Sequence, residues 1–430
     1  MRIGVAGLWH LGTVTAACMA SAGHDVVAFD GEPETRARLE KGQLPVAEPG
    51  LEELIARAVA AGRLRFSSRP ADLAGADITW ITYDTPVDES GRVDVESVVE
   101  ATTDIFPFVR EESLVLVSSQ LPVGSTRRLE GIYRRLRPDG TASFAYSPEN
   151  LRLGSAIDAF TKPDRVVAGI RTEAEKDRIA SLFKPFTDRI EWMGVESAEM
   201  TKHALNAFLA TSVAFVNELA VLCERVGADA REVERGLKSD VRIGPRAYLR
   251  PGGAFAGGTL ARDVSLLIER GRAEGLPTHL MSGVQDSNEV HKQWPRRRLV
   301  EIIGDVRHKA ITILGLTYKP GTDTLRGSSA IETSRWLKGR GASVAAYDPA
   351  VRTLPAEVKA FVDLRRSAQD ALQGADAALV ATEWPEFGSI SADDLVRWMK
   401  HPIVLNPARF LRTQLGVDKR IRYLSVGQAA

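Results

Sequence analysis

The hydrophobic pattern opens with "RIGVAG", a short apolar run that reads as a buried strand. "LWHLGTVTAACMASAG" follows as a turn opening a helix, and "HDVVAFD" is a second apolar run ending in an acid. The three segments predict a βαβ unit laid out for nucleotide binding. Similar runs recur in "ADITWITYDTP", "SLVLVSSQLPVGST", "FAYSPENL" and "DRVVAGI". The expected domain is doubly wound and ends near residue 195.

From Glu196 to Gly227 the pattern changes. There is no proline, glycine comes only at the end, and Ala204, Phe208, Phe215, Leu219 and Leu222 recur at helical spacing. One long helix is predicted, with helical character persisting to about residue 295. Near Lys309 the first pattern returns: "KAITILGLTYKPGTD" is a strand ending in a Gly-rich turn, and "GASVAAYDPAV" is a strand ending in Asp348. The expected fold is therefore α/β, with two Rossmann-like doubly wound domains joined by a long central helix and a helical middle domain. The boundaries read as 1–195, 196–296 and 297–430. Two such domains imply two nucleotide-bearing ligands, with chemistry between them.

Composition narrows the function. The 430 residues suit two or three domains. Lys plus Arg (56) equals Asp plus Glu (56), so nothing points to nucleic acid or an anionic membrane surface. No basic-then-apolar leader opens the chain, and no apolar run reaches the roughly 20 residues needed to cross a bilayer. A cytoplasmic protein without membrane contact is expected. Cys18 and Cys223 fall in helix-like apolar patterns and read as buried small hydrophobes rather than redox or metal groups.

Several side chains carry candidate chemistry. The glycine fingerprint is Gly7-Leu8-Trp9-His10-Leu11-Gly12, with Trp9 at the second glycine position. Asp30 ends the second strand, where a carboxylate accepts from a ribose diol and repels a 2′-phosphate, favouring NAD over NADP. Lys202 and Asn206, four apart on the predicted helix, project from one face and suit stabilisation of an oxyanion. A solvated helix face is the plainer reading. Asp263 suits a base or a water-orienting group, or else a charge at a helix start. Glu149 in "SPENLRLGS" is a second carboxylate. In "AFAGGTLARD", glycines lead into the hydroxyl of Thr259 and then into Arg262-Asp263.

Many collinear segments, among them "LEKGQLPVAEPGLEELI", "YDTPVDESGRVD", "LPVGST", "AFAGGTLARD" and "ILGLTYKPGTDTLRGSS", make the chain resemble the UDP-glucose/GDP-mannose dehydrogenase family over essentially its whole length. The resemblance implies an NAD domain, a helical centre and a nucleotide-sugar domain. It also implies oxidation of a sugar hydroxymethyl to a carboxylate by two NAD molecules in turn, through a cysteine thiohemiacetal and thioester. By position it assigns Gly7, Trp9, Gly12, Asp30, Thr85, Pro86, Gln120, Arg262 and Arg326 to the cofactor side, with Arg326 reaching a neighbouring subunit's site. Lys202 and Asn206 fall on the oxyanion-stabilising pair, and Asp263 on the water-binding aspartate. Leu151, Tyr248, Phe255, Gly257, Gly258 and Lys319 are assigned to the nucleotide sugar, a UDP-hexose in preference to a GDP-hexose. The resemblance further implies at least a homodimer and a role in making envelope or capsule polysaccharide.

The match fails at chosen points. Thr259 stands at the cysteine position, Leu153 replaces a carboxylate, and Gln120 replaces a threonine at the cofactor–substrate junction. A threonine hydroxyl is barely ionised at pH 7 and leaves poorly. Three readings stay open: a nucleotide-sugar oxidoreductase that stops at two electrons or re-reduces its product; a four-electron dehydrogenase using water in place of a thiol; and a non-catalytic binding protein.

Overall fold

The computed structural model describes residues 1–86, 93–256 and 258–428. The chain divides into two compact units, Met1–Ala204 and Leu205–Ala430, and each is built around its own sheet.

The first unit holds eight strands: β1 (Arg2–Ala6), β2 (Asp25–Phe29), β3 (Leu64–Ser67), β4 (Ile78–Ile81), β5 (Leu114–Val117), β6 (Ser143–Tyr146), β7 (Val166–Ile170) and β8 (Ile190–Gly194). They lie in the order β3-β2-β1-β4-β5-β6-β7-β8. The first six are parallel, and β7 joins β6 antiparallel. β4 and β5 are buried at every position, because helices cover both faces of a parallel sheet and leave no polar side. On one face the helix His10–Ser21 packs Val14, Ala17 and Cys18 into a core with Ile3, Ile78 and Leu116.

The second unit repeats the plan with β9 (Ala310–Leu314), β10 (Ser343–Tyr347), β11 (Asp363–Leu364), β12 (Ala377–Val380), β13 (Ile403–Leu405) and β14 (Arg422–Leu424). The order β11-β10-β9-β12-β13-β14, parallel throughout, is the 3-2-1-4-5-6 order of a doubly wound fold. Strand order reverses beside β1 in one sheet and β9 in the other, which is where such sheets open a crevice at their carboxyl ends. The expected pair of Rossmann-like domains and long central helix are both present.

That helix, Val195–Val226, runs 32 residues and links the two units. Its composition bears on the membrane expectation. By length and composition it could cross a bilayer, and among the described residues no other helix could. Read residue by residue, Glu199, Lys202, Glu218 and Glu224 break up the apolar run and hide it. Only 44% of its most apolar 18-residue window is buried in the protein. Phe208, Phe215 and Leu222, which the sequence placed on its apolar repeat, are 68%, 48% and 59% exposed, so they face away from the core of their own unit.

Candidate functional site

In the first unit the fingerprint turn is fixed by contact. Gly7 has φ +95°, and a Cβ there would lie 2.6 Å from the Tyr83 backbone. A Cβ on Gly12 would lie 1.8 Å from the Gly7 carbonyl oxygen. The first and third fingerprint glycines are therefore obligatory. The second position is not so confined: Trp9 is 49% exposed, and Thr13 donates its hydroxyl to the Trp9 carbonyl at 2.7 Å. Asp30 joins this turn. Its carboxylate accepts the Leu8 amide at 2.8 Å and the Glu32 amide at 3.0 Å, yet the residue stays half-buried. Beside it the Tyr83 phenol is pushed up by burial and by the negative charge of Asp30. A bare glycine turn, the start of a helix and an oriented carboxylate fit a dinucleotide: the helix start favours the pyrophosphate and the carboxylate the ribose.

Two further pairs form in this unit. Thr85 donates its hydroxyl to the Gln120 carbonyl at 2.8 Å, while Pro86 is exposed and its carbonyl accepts the Asp94 amide. Lys202, 7% exposed, donates Nζ to the Glu149 carbonyl at 2.5 Å, with Glu149 Oε1 at 3.5 Å. Glu149 Oε2 accepts the Leu151 amide at 2.8 Å. A buried ammonium held against a carboxylate beside a loop is equipped to meet a polar substrate atom.

In the second unit Asn206 donates its side-chain amide to the carboxylate of Asp263. Asp263 is wholly buried and Asn206 is 6% exposed. Thr259 is exposed and is the first residue of the helix Thr259–Ala273, one turn before Asp263. Gly258 is that helix's N-cap. Arg262 lies between them, half-buried, with a buried Nε that has no hydrogen-bond partner among the described residues. Cys18 and Cys223 are both buried, and burial pushes the Cys18 thiol up to about 12, far from the thiolate a nucleophile needs.

The loop before Thr259 is clamped by groups that sequence reasoning missed. Asn288 accepts the Phe255 amide at 2.9 Å and donates to its carbonyl at 3.0 Å. Asn217 accepts the Gly252 amide and donates to the Gly253 carbonyl. His291 Nε2 lies 2.8 Å from the Gly252 carbonyl, and burial pulls its pKa down, so it donates as a neutral ring. Apolar periodicity treats such residues as core positions, and their only local signal is an amide or imidazole on a buried helix face.

Tyr248 and Lys319 line one cavity of about 370 Å³ with Gly253, Ala254, Ala256 and His291. Phe255 belongs to this loop without lining the cavity, and Arg326 is exposed on the segment after β9, outside that lining. Gly257 lies outside the described residues. A larger cleft of about 790 Å³ runs beside Ala310–Thr312 and Ser343–Ala345, in the first half of β9 and β10. Ligands of doubly wound sheets bind at the carboxyl ends, so the smaller cavity is the candidate.

The second unit's counterpart of Asp30 is Asp348, at the end of β10. It is 1% exposed, and its Oδ2 accepts from the Leu316 amide at 2.7 Å, the Thr317 amide at 3.1 Å and Trp384 Nε1 at 3.1 Å.

One glycine turn open to a dinucleotide, a second Rossmann-like sheet whose acid is sealed, and a buried lysine–carboxylate pair define a dinucleotide-dependent oxidoreductase. The sequence matches the NAD binding domain of the UDP-glucose/GDP-mannose dehydrogenase family over residues 1–187, its central domain over 196–290 and its UDP binding domain over 312–413. It is 33% identical to the UDP-glucose 6-dehydrogenase of Rhizobium meliloti (strain 1021), covering all of both chains. It superimposes with a TM-score of 0.89 on a UDP-glucose dehydrogenase from Pyrobaculum islandicum, at 30% identity over 100% of this chain and 98% of that one. A UDP-D-ManNAc dehydrogenase from Pyrococcus horikoshii, 24% identical, shares the fold with a TM-score of 0.87 over 100% and 99% of the two chains. The chain belongs to the UDP-glucose/GDP-mannose dehydrogenase family, and so is an NAD-dependent oxidoreductase acting on CH–OH groups. The reading as a non-catalytic binding protein gives way to this.

Proposed function

We propose that the protein oxidises a nucleotide sugar, a UDP-hexose by preference, and that its chemistry stops at, or reverses from, the carbonyl reached by one two-electron step. The observation that carries this is Thr259. An exposed hydroxyl opens the helix where the family's thiol chemistry is expected, and both cysteines of the chain are buried. The residues that remain suffice for one oxidation. Lys202 hydrogen-bonds the carbinol oxygen and stabilises the charge that develops on it as the proton leaves. Asp263, oriented by Asn206, takes that proton directly or through a water. A bound NAD would supply the hydride acceptor, so that loss of hydride and proton leaves a carbonyl at the former hydroxymethyl. Gly7, Gly12, Asp30, Thr85 and Gln120 hold the dinucleotide, and Tyr248, Lys319 and the 252–258 loop hold the nucleotide sugar.

The reading assigns residues 1–195 to the cofactor, 196–296 to a central part that pairs two copies and 297–430 to the nucleotide sugar, in a cytoplasmic homo-oligomer. Phe208, Phe215 and Leu222 support the pairing. They repeat every seven residues along one helix and stay exposed, and a two-fold contact can bury such a stripe against its own copy. Counting NADH released per UDP-glucose at end point, and weighing the product, tests the reaction. One NADH and a carbonyl product, or a converted sugar with no net NADH, support the reading. Two NADH and a uronate favour the alternative, in which water held by the buried Asp263 replaces the thiol.

A further inference from the structure

Glu48 takes no part in the mechanism above, yet its carboxylate is 1% exposed and joins three separate segments. Oε2 lies 2.9 Å from His10 Nε2 and accepts the Gly154 amide at 2.9 Å, while Oε1 accepts the Ala156 amide at 2.8 Å. An ionised carboxylate only accepts, so His10 Nε2 is the donor. His10 is the first residue of the helix that opens at the glycine turn. Gly154 and Ala156 close the segment that begins at Glu149. The other end of that segment is held by Lys202, through the Glu149 carbonyl. A continuous chain of hydrogen bonds and backbone thus runs from His10 through Glu48, along 154–149, to Lys202.

A burial this complete is costly unless every lone pair in use keeps its donor. The arrangement is therefore stiff: a shift of the glycine turn must carry the 149–156 segment with it or leave a buried carboxylate short of a partner. We propose that Glu48 is a positioning residue that couples the cofactor turn to the substrate segment, so that engagement of the dinucleotide at residues 7–12 sets Glu149 and Lys202 for the sugar. The proposal rests on the reading that this turn holds the dinucleotide and that Lys202 meets the sugar.

Coupling of this kind appears as a change in one ligand's affinity when the other is bound, and it is reciprocal. The test is the Kd of UDP-glucose measured calorimetrically, without and with saturating NADH. Wild type is expected to bind UDP-glucose about fivefold or more tighter with NADH present. Glu48→Gln keeps the shape but has one acceptor oxygen, so in either orientation at least one of the two amide links is lost. His10→Leu cuts only the cofactor arm. His10→Gln restores a donor toward Glu48. The ratio of the two Kd values should fall toward one in Glu48→Gln and His10→Leu and recover in His10→Gln, with cooperative melting retained in all three. A merely structural Glu48 would lower Tm and leave the ratio at its wild-type value, and that result overturns the proposal. So does a wild-type ratio of one. Wild-type protein that binds no NADH would instead refute the underlying cofactor reading, and the coupling with it.

Discussion

Asn206 donates its side-chain amide to the carboxylate of Asp263, and both residues are buried. An amide donor on a buried carboxylate keeps it oriented. Replacing Asp263 by Asn leaves one acceptor oxygen and removes the carboxylate that takes the proton. We expect kcat to fall at least a hundredfold, the scale of a positioned acid–base group, with the Kd for NADH unchanged. Steady-state kinetics alongside NADH fluorescence titration check this.

Thr259→Cys tests the proposed two-electron limit directly. A thiol at the first residue of a helix has its pKa lowered by the helix dipole. The variant is expected to raise NADH yield from one toward two per sugar and to release an acid. If the yield stays at one, the substitution at 259 is not what stops the chemistry.

Lys202→Met removes the ammonium while keeping much of the side chain's length. Losing one oxyanion-stabilising donor costs about a hundredfold or more in kcat. KM for UDP-glucose should change far less, because the interaction strengthens mainly as charge develops. Equal losses in affinity and turnover would instead make Lys202 a ground-state binding residue.

Asp30→Ala should raise KM for NAD about tenfold, the loss expected for one charge-assisted hydrogen bond, and should narrow the preference for NAD over NADP. Measuring kcat/KM for both dinucleotides decides it. The Leu8 amide also loses its acceptor, so a drop in Tm is expected alongside.

Glu196 supplies a pH-dependent term. Arg171 donates to both its oxygens, at 2.9 and 2.8 Å, and this pairing holds its carboxyl at about 2, below the ordinary 4.5, against a smaller opposing effect of burial. The folded state therefore binds its proton more weakly than the unfolded chain does. The stabilisation is fully present above about pH 4.5 and is lost as pH falls toward 2. Glu196→Gln should melt below wild type at pH 7, with the gap closing across that acid window. A gap that stays constant with pH would exclude the ion pair as its cause.

The fold was legible because parallel strands buried on both faces leave continuous apolar runs, and the two glycine turns punctuate them at matching places. Most of the cofactor half was legible for the same reason, since backbone proximity at Gly7 and Gly12 demands residues that a pattern can register. The clamps were not. Asn217, Asn288, His291 and Glu48 act through hydrogen bonds to segments 33 to 108 residues away, and one-dimensional spacing carries no trace of such a pairing. The exposed stripe of Phe208, Phe215 and Leu222 misleads in the other direction. Helical period identifies a face, but not whether that face looks inward or toward another molecule.

The sealed Asp348 bears on how many dinucleotides one chain can carry. Its first-unit counterpart, Asp30, stays half-buried, whereas Asp348 has Trp384 and two backbone amides on a single oxygen. A ribose diol seeking that oxygen would have to displace these and the Thr317 hydroxyl, 3.2 Å away. The duplicated plan therefore provides two sheets but a single ribose grip, and titration with NADH should saturate at one equivalent per chain. The two ligands of the reaction then do not compete for the same kind of seat, even at high cofactor concentration.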